Sequence, residues 1–397
     1  MPSRRAAGGA PKPQQHGQRR DYPIPQPPER PAVRDGAGRQ SPRGRRGCQV
    51  GRAGLATQTR PVAGGDAVNA TYAQVAEYAG WLNLTEAGLV RLLGADRLRF
   101  LQGQTTNDLR DLREGQGVYT AFCTPTGQLL SDGYVLEAED SFLLVLPAET
   151  WGEITARLSE AVILDDVVLM PLQEGMGLLS IQGSAADEVL EEVGLDAPPR
   201  EPLAHHGCLW QKAELRLVRN DRTGFGGVDL LVPYAVMEEL QTALVATACL
   251  PIDDALATVL RYEAGIPQAG VDWSERTLAA EMGESFIRRH ISYRKGCYVG
   301  QEVLMRIHAR GHTNRTWVPM QALGEALPPR GTAVHAPDRA DVGWITGAVH
   351  SPALGGAILA WGFVRNEYTP PDTRLQIATE PPAEAVVLPR APRPAGE

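Results

Sequence analysis

Apolar and polar positions change their rhythm several times along the chain. From Gly88 a short apolar run, Leu89-Val90-Arg91-Leu92-Leu93, predicts a strand, and Gly94-Ala95-Asp96 then opens a helix through RLRFLQGQTTNDL. The arrangement returns about ninety residues later: Leu178-Leu179-Ser180-Ile181 is strand-like, Gly183-Ser184 follows, and AADEVLEEVG is helical. There Ser184 and Asp187 have capping-box spacing, and Gly194 falls where a helix-terminating glycine belongs. Two strand–glycine–helix units predict an internally duplicated body.

Between the units the period is two. VYTAF, QLLSDGYVLEAED and SFLLVLP predict strands joined by turns, with Pro125 and Gly127 placed for a tight turn in TPTG. AELRLVRNDRTGFGGVDLLVP predicts two more strands around a glycine-rich link, and helical periods follow at 235–248 and 252–264. Hairpins within this order imply largely antiparallel sheets, which excludes a doubly wound parallel fold. Residues 316–379 break into short strands separated by Gly, Pro and Asp, the pattern of a small β-barrel. The Pro/Ala-rich residues 380–397 are expected to form a flexible tail. The fold class is therefore α+β, with a body over residues 67–315 followed by the β domain.

Residues 1–66 follow neither rhythm. This Pro/Gly/Arg-rich stretch lacks the apolar surface needed to offset ordering entropy and is expected to be disordered. An upstream start codon would explain it, and so would a basic arm that touches RNA. Thirteen basic and three acidic side chains give residues 1–65 a net charge of +10; the whole chain carries −8, so the remainder carries −18. A body this acidic repels phosphate backbones, so nucleic-acid binding is disfavoured except through the basic segment. Five cysteines without a C-x-x-C pair argue against a disulfide scaffold or a structural zinc site and fit a cytoplasmic setting. No run of eighteen apolar residues is present, and the N-terminus lacks the apolar core of a signal peptide.

The stretch RKGCYVGQEVLMR (294–306) carries the densest chemistry. Cys297 lies between Gly296 and Gly300, beside Arg294 and Lys295, with Tyr298, Gln301 and Glu302 after it. Positive neighbours favour the thiolate, which is the nucleophile and the metal ligand, and the glycines allow a fitted turn. The alternative is a small buried residue filling a corner, which is the reading for Cys48, Cys123, Cys208 and Cys249. Asp132 in LLSDGYVL is either an outward-facing residue of an alternating strand or a carboxylate that engages a ligand. His205-His206 reads as a solvated pair in a loop. His308 and His312 share helical spacing but flank Gly311, so a loop is expected and no metal is assigned.

KGCYVGQE (295–302) resembles the K-G-C-Y-x-G-Q-E signature of the YgfZ family, folate-binding relatives of the glycine cleavage T protein. FLQGQTTND (100–108), TPTGQLLSD (124–132), RTGFGGVDLLVP (222–233), LRYEAGIP (260–267) and ARGHTNR (309–315) occur in the expected order. The resemblance implies a ring of three domains around a cavity for tetrahydrofolate, with the β-barrel as one lobe. It implies an accessory role in assembly or repair of iron–sulfur enzymes, tRNA-modifying ones among them, with those clients or assembly proteins as partners. Cys297 takes the thiol role next to the folate cavity, with Lys295, Tyr298, Gln301 and Glu302 as its surroundings. Asp132 takes the acidic position at the one-carbon site, and Arg261 and Arg222 border the folate, where guanidinium groups suit carboxylates. The T protein's G-Y-T-G-E is replaced here by Gly224-Phe225-Gly226-Gly227-Val228, with Val228 at the pterin-binding Glu. A folate-dependent aminomethyltransferase of the glycine cleavage type is the alternative, and whether the chain is an enzyme stays open at this point.

Overall fold

The computed structural model describes residues 65–311 and 313–396. The expected disorder of residues 1–66, Cys48 included, lies outside that span, except that Gly65 and Asp66 begin the helix Gly65–Glu77. Residue 312 also lies outside it.

Two sheets form the body. One has five strands in the order Gly117–Cys123, Leu129–Ala138, Ser141–Leu146, Gly88–Leu93, Val168–Pro171. The other has six, in the order Leu250–Pro251, Gly80–Asn83, Met176–Gln182, Gly227–Pro233, Ala213–Arg219, His205–Trp210. All pairings are antiparallel except that of Gly80–Asn83 with Leu250–Pro251. In each sheet a three-strand meander ends beside the strand that opens a strand–glycine–helix unit, so the repetition read from the sequence is a repetition of topology. The two unit glycines have the same reason to be glycine. Gly94 (φ +106°) and Gly183 (φ +140°) lie against backbone, where a β-carbon would come within 2.0 Å of the Asp166 carbonyl or 2.3 Å of the Tyr78 carbonyl.

The sheets face each other across Leu89, Tyr134, Leu136, Val145, Leu178 and Leu231, while helices cover their outer faces. Full burial of each such aliphatic side chain contributes about 1.5–3 kcal/mol. Strand alternation sorts the strand Gly227–Pro233: Val228, Leu230 and Val232 enter the helix-side core, and Leu231 the inter-sheet core.

Several local expectations are corrected. The helix after Gly94 spans only Arg97–Gln104, because Thr105–Asp108 turn away to meet other elements. Ala186–Glu192 has no side-chain cap; Asp187 instead pairs with Arg219 at 2.6 Å. His205 is a buried strand residue rather than part of a loop, its Nδ1 accepting from Arg216. His308 lies on the helix Gln301–Arg310, which ends at Gly311 (φ +93°), and stacks on Tyr293.

The β domain is a closed barrel of strands Arg315–Ala322, Ile358–Arg365, Arg339–His350, Ala333–Ala336, Arg374–Ile377 and Ala383–Val387. Its last strand lies inside the segment expected to be a flexible tail. Beyond it Ala391 and Ala395 are buried against the body. The Pro/Ala composition hid this because backbone pairing and small side chains in tight gaps give no periodic signal.

Candidate functional site

The sheets part around a cavity of about 750 Å³, within the range of small-molecule sites. Its wall includes Tyr119, Asp132, Tyr134, Arg222, Arg261, Arg289 and His290. No barrel residue lines it among those described. The position of Asp132 follows from register: the pairs Ala121/Asp132 and Tyr119/Tyr134 stand side by side on one face of the hairpin. Asp132 is 18% exposed, and its opening is to the cavity.

Burial pushes the Asp132 carboxyl up to about 6, against the lowering effects of its own backbone N–H and of Arg222. Its Oδ2 lies 3.9 Å from His290 Nε2. Burial holds His290 neutral, pulling its pKa down to about 3. His290 Nδ1–H donates to the Phe286 carbonyl at 2.9 Å, which leaves the Nε2 lone pair toward Asp132. The imidazole is stacked on Phe286, with ring centroids 4.1 Å apart, and packs 5.7 Å from Tyr119. This pair can hold one proton near neutral pH, the property a general acid–base needs.

Behind the wall stands Asp229, fully buried. It accepts from Arg222 Nε (2.9 Å) and Nη2 (2.6 Å), Tyr134 Oη (2.7 Å), Ser180 Oγ (2.6 Å) and Asn220 Nδ2 (2.8 Å). Burial raises its carboxyl, but Arg222 and these donors outweigh that and hold it below the usual range. Asn220 Oδ1 in turn accepts from Tyr119 Oη at 2.6 Å. Val228 faces the helix-side core instead of the cavity. The valine that departs from G-Y-T-G-E is thus a packing residue, and the carboxylate organising the wall is the next residue, Asp229.

Arg261 is also held from behind. Its Nη1 donates to Asp272 Oδ2 (2.6 Å) and the Ile266 carbonyl (3.2 Å). Asp272 further accepts from Tyr262 Oη at 2.9 Å and from Thr346 Oγ1 of the barrel at 3.0 Å. Trp317 Nε1 donates to Thr346 and stacks on Trp361, whose Nε1 donates to the Tyr262 carbonyl. The barrel therefore braces the helix Asp254–Ala264 that carries Arg261. Arg261 Nε is buried without a hydrogen-bond partner, and the guanidinium stands 4.0 Å over the Tyr262 ring.

Cys297 is exposed and is not among the residues lining the cavity. Its sequence neighbours do different jobs. Lys295 is buried, and its Nζ donates to the carbonyls of Gln102 (2.8 Å), Thr105 (2.7 Å) and Asn107 (2.6 Å). Burial pulls this amine down to about 7, with Asp108 opposing. Three acceptors require three N–H protons, which only the ammonium has, so the geometry favours the charged form. Tyr298 is buried with its hydroxyl unpartnered, and burial raises its pKa. Gln301 reaches back to the Lys295 carbonyl, and Glu302 pairs with Arg306 on the surface. Gly300 (φ +88°) is required, since a β-carbon would lie 2.7 Å from the Thr124 carbonyl. The turn thus joins three of the quoted motifs: Val299 N–H donates to the Gly103 carbonyl, and Gly300 packs on Thr124.

Of the residues read from the sequence, Asp132, Arg222 and Arg261 share the cavity, while Lys295, Tyr298 and Gln301 build a turn that presents Cys297 elsewhere. Tyr119, Asp229, Arg289 and His290 carried no usable signal; Arg288-Arg289-His290 reads simply as the basic last turn of a helix. Among the described residues no group of three or more His, Cys, Asp or Glu could hold a metal ion, and no helix is long and apolar enough to cross a membrane.

The architecture is thus an antiparallel α+β body with a closed barrel and a cavity whose lining includes three arginines, Arg222, Arg261 and Arg289, and five acidic residues, Glu86, Asp132, Glu149, Asp221 and Asp254. The family model of the GCVT N-terminal domain matches residues 57–289, more than half of the chain, and the chain belongs to that family. It is 27% identical over 325 residues to an aminomethyltransferase of Parafrankia sp. (strain EAN1pec), covering 79% of this chain and 87% of that protein. It is 29% identical over 285 residues to one from Geobacillus kaustophilus (strain HTA426), covering 70% and 76%. The crystal structure of glycine cleavage system aminomethyltransferase T from Bartonella henselae has the same fold: TM-score 0.74 at 20% identity, over 82% of this chain and 89% of that one.

Proposed function

We propose that the cavity binds a reduced folate, tetrahydrofolate or a derivative, and that the protein acts on the one-carbon unit there in the manner of an aminomethyltransferase. The observation that carries this reading is Asp132, a carboxyl with a pKa near 6 on the wall of a cavity large enough for such a ligand. The size fits, and the lining combines aromatic residues with the guanidinium groups of Arg222, Arg261 and Arg289. Arg222 and Arg261 would hold the folate, whose bound form supplies the one-carbon carrier.

Within this reading Asp132 holds or accepts a proton at Oδ2, beside a neutral His290 that does not compete for charge. Tyr119 and Asn220 keep the wall rigid through Asp229, so Asp132 stays positioned. Burial of the carboxyl sustains its raised pKa. The test is turnover with a reduced folate and an amine donor: Asp132→Asn should lose activity by about 100-fold or more with folate binding kept. Unchanged turnover in that variant would overturn the acid–base role.

A second reading has its own observation. The exposed thiol of Cys297 sits on a turn that Lys295 and Gly300 hold in place, a construction that group transfer in the cavity does not use. It supports the accessory role of the YgfZ type, serving iron–sulfur enzymes. Cys297→Ser separates the two: turnover survives and client iron–sulfur enzymes lose activity if the accessory reading holds. Full client activity in cells carrying only the serine variant would remove it.

A further inference from the structure

The chain's last described residues return to the cavity, and nothing in the proposed chemistry uses them. They fall into two halves. Ala391 is buried in the central core; Arg393 donates its backbone N–H to the Glu263 carbonyl at 2.8 Å, and its guanidinium lies 4.3 Å over the Phe225 ring. Past Pro394 the hold is lighter. Ala395 lines the cavity, with its N–H on the Ala264 carbonyl at 3.2 Å and its own carbonyl accepting from Arg289 Nη2. Gly396 N–H donates to Asp221 Oδ2 at 3.2 Å.

Arg289 is the informative partner. Its guanidinium stands 4.7 Å over the Tyr119 ring on the cavity wall. Unlike Arg222 and Arg261, which are paired with Asp229 and Asp272, Arg289 donates to a neutral carbonyl, and its charge lowers the pKa of the Asp132 carboxyl without a salt bridge to it. Guanidinium prefers an ionised, two-oxygen acceptor over a single neutral oxygen. We propose that Ala395 and Gly396 form a displaceable strap seated in a carboxylate-binding subsite centred on Arg289. A carboxylate of the cavity's ligand or co-substrate takes the place of the Ala395 carbonyl there. Pro394 is where the anchored half ends, so the strap can lift without disturbing Arg393. The inference deepens the folate reading by adding the anionic group this end of the cavity accepts, and rests on that reading only for the identity of the ligand.

The experiment uses the full chain and two loosened variants. Gly396→Pro removes the N–H given to Asp221, is incompatible with φ +70°, and would crowd Arg289. The second variant ends after Arg393, so Ala391 and Arg393 stay anchored. Each is titrated calorimetrically with succinate, a small dicarboxylate, and separately with 5-formyltetrahydrofolate. Both variants should bind succinate about tenfold more tightly than the intact chain, and Arg289→Gln added to either should cancel the gain. Equal succinate affinity in all three proteins overturns the strap, as does a gain that survives Arg289→Gln. A succinate gain that depends on Arg289, with no folate bound by any of the proteins, overturns the folate reading and upholds the subsite.

Discussion

The cavity wall and the Cys297 turn are built by opposite means. The wall brings together residues far apart in the chain, Asp132, Asn220, Arg222, Asp229 and His290, and its charges are buried and mutually dependent. The turn is nearly contiguous, from Lys295 to Gln301, and displays its reactive atom to solvent. Substitution in the wall should therefore disturb fold and chemistry together, whereas substitution of the thiol should change chemistry alone.

The harshest way to break the wall is Asp229→Ala. It strands Arg222 without its carboxylate and leaves three other donors unmatched; losing one partner of a buried pair costs about 3–5 kcal/mol. Urea unfolding should show that loss, and a cost below about 1 kcal/mol would mean the network is not the support described.

Asp132→Asn should act in the other direction on stability. The native carboxyl keeps its proton up to about pH 6, whereas the unfolded one releases it near 3.8. The native state therefore binds more protons between these values, and the wild type loses stability as pH rises through that window. Above pH 6 the asparagine variant should be more stable by about 2–3 kcal/mol, and the gap should close by pH 4. Denaturant midpoints from pH 4 to 8 check this. His290 contributes with the opposite sign: its lowered pKa means stability falls as pH drops below 6.5. His290→Gln should flatten the acid limb of the same curve.

Lys295→Met sharpens the contrast from the turn's side. It leaves three carbonyls without a donor and should cost about 1–3 kcal/mol, although the residue touches no part of the cavity wall. Smallest of all is Cys297→Ser, expected within about 0.5 kcal/mol of wild type in the same unfolding assay. A larger loss would show the thiol to be a packing residue.

Much of the architecture was legible beforehand. Period-two runs marked the hairpins, and Gly94 and Gly183 marked the repeated units, because backbone contact excludes a β-carbon at both. The barrel was legible from its short strands, except Ala383–Val387, whose alternation is masked by prolines on both sides. The site was half legible. Asp132 stood out as a carboxylate in an apolar strand, and Arg222 and Arg261 through family motifs. Asp229 did not, since an aspartate after a glycine-rich loop looks like any turn residue until the second sheet is in place. The resemblance puts Cys297 next to the cavity, whereas the thiol is exposed and does not line it; local spacing describes a turn but not the direction it points relative to distant strands.

Asp272 joins Arg261 to Thr346, and through it to the stacked indoles of Trp317 and Trp361. Two indoles with centroids 3.9 Å apart and planes inclined by 22° should give a coupled near-ultraviolet circular dichroism signal. Any event that shifts the helix of Arg261 against the barrel should alter that signal, giving an intrinsic optical gauge of inter-lobe movement that needs no attached dye.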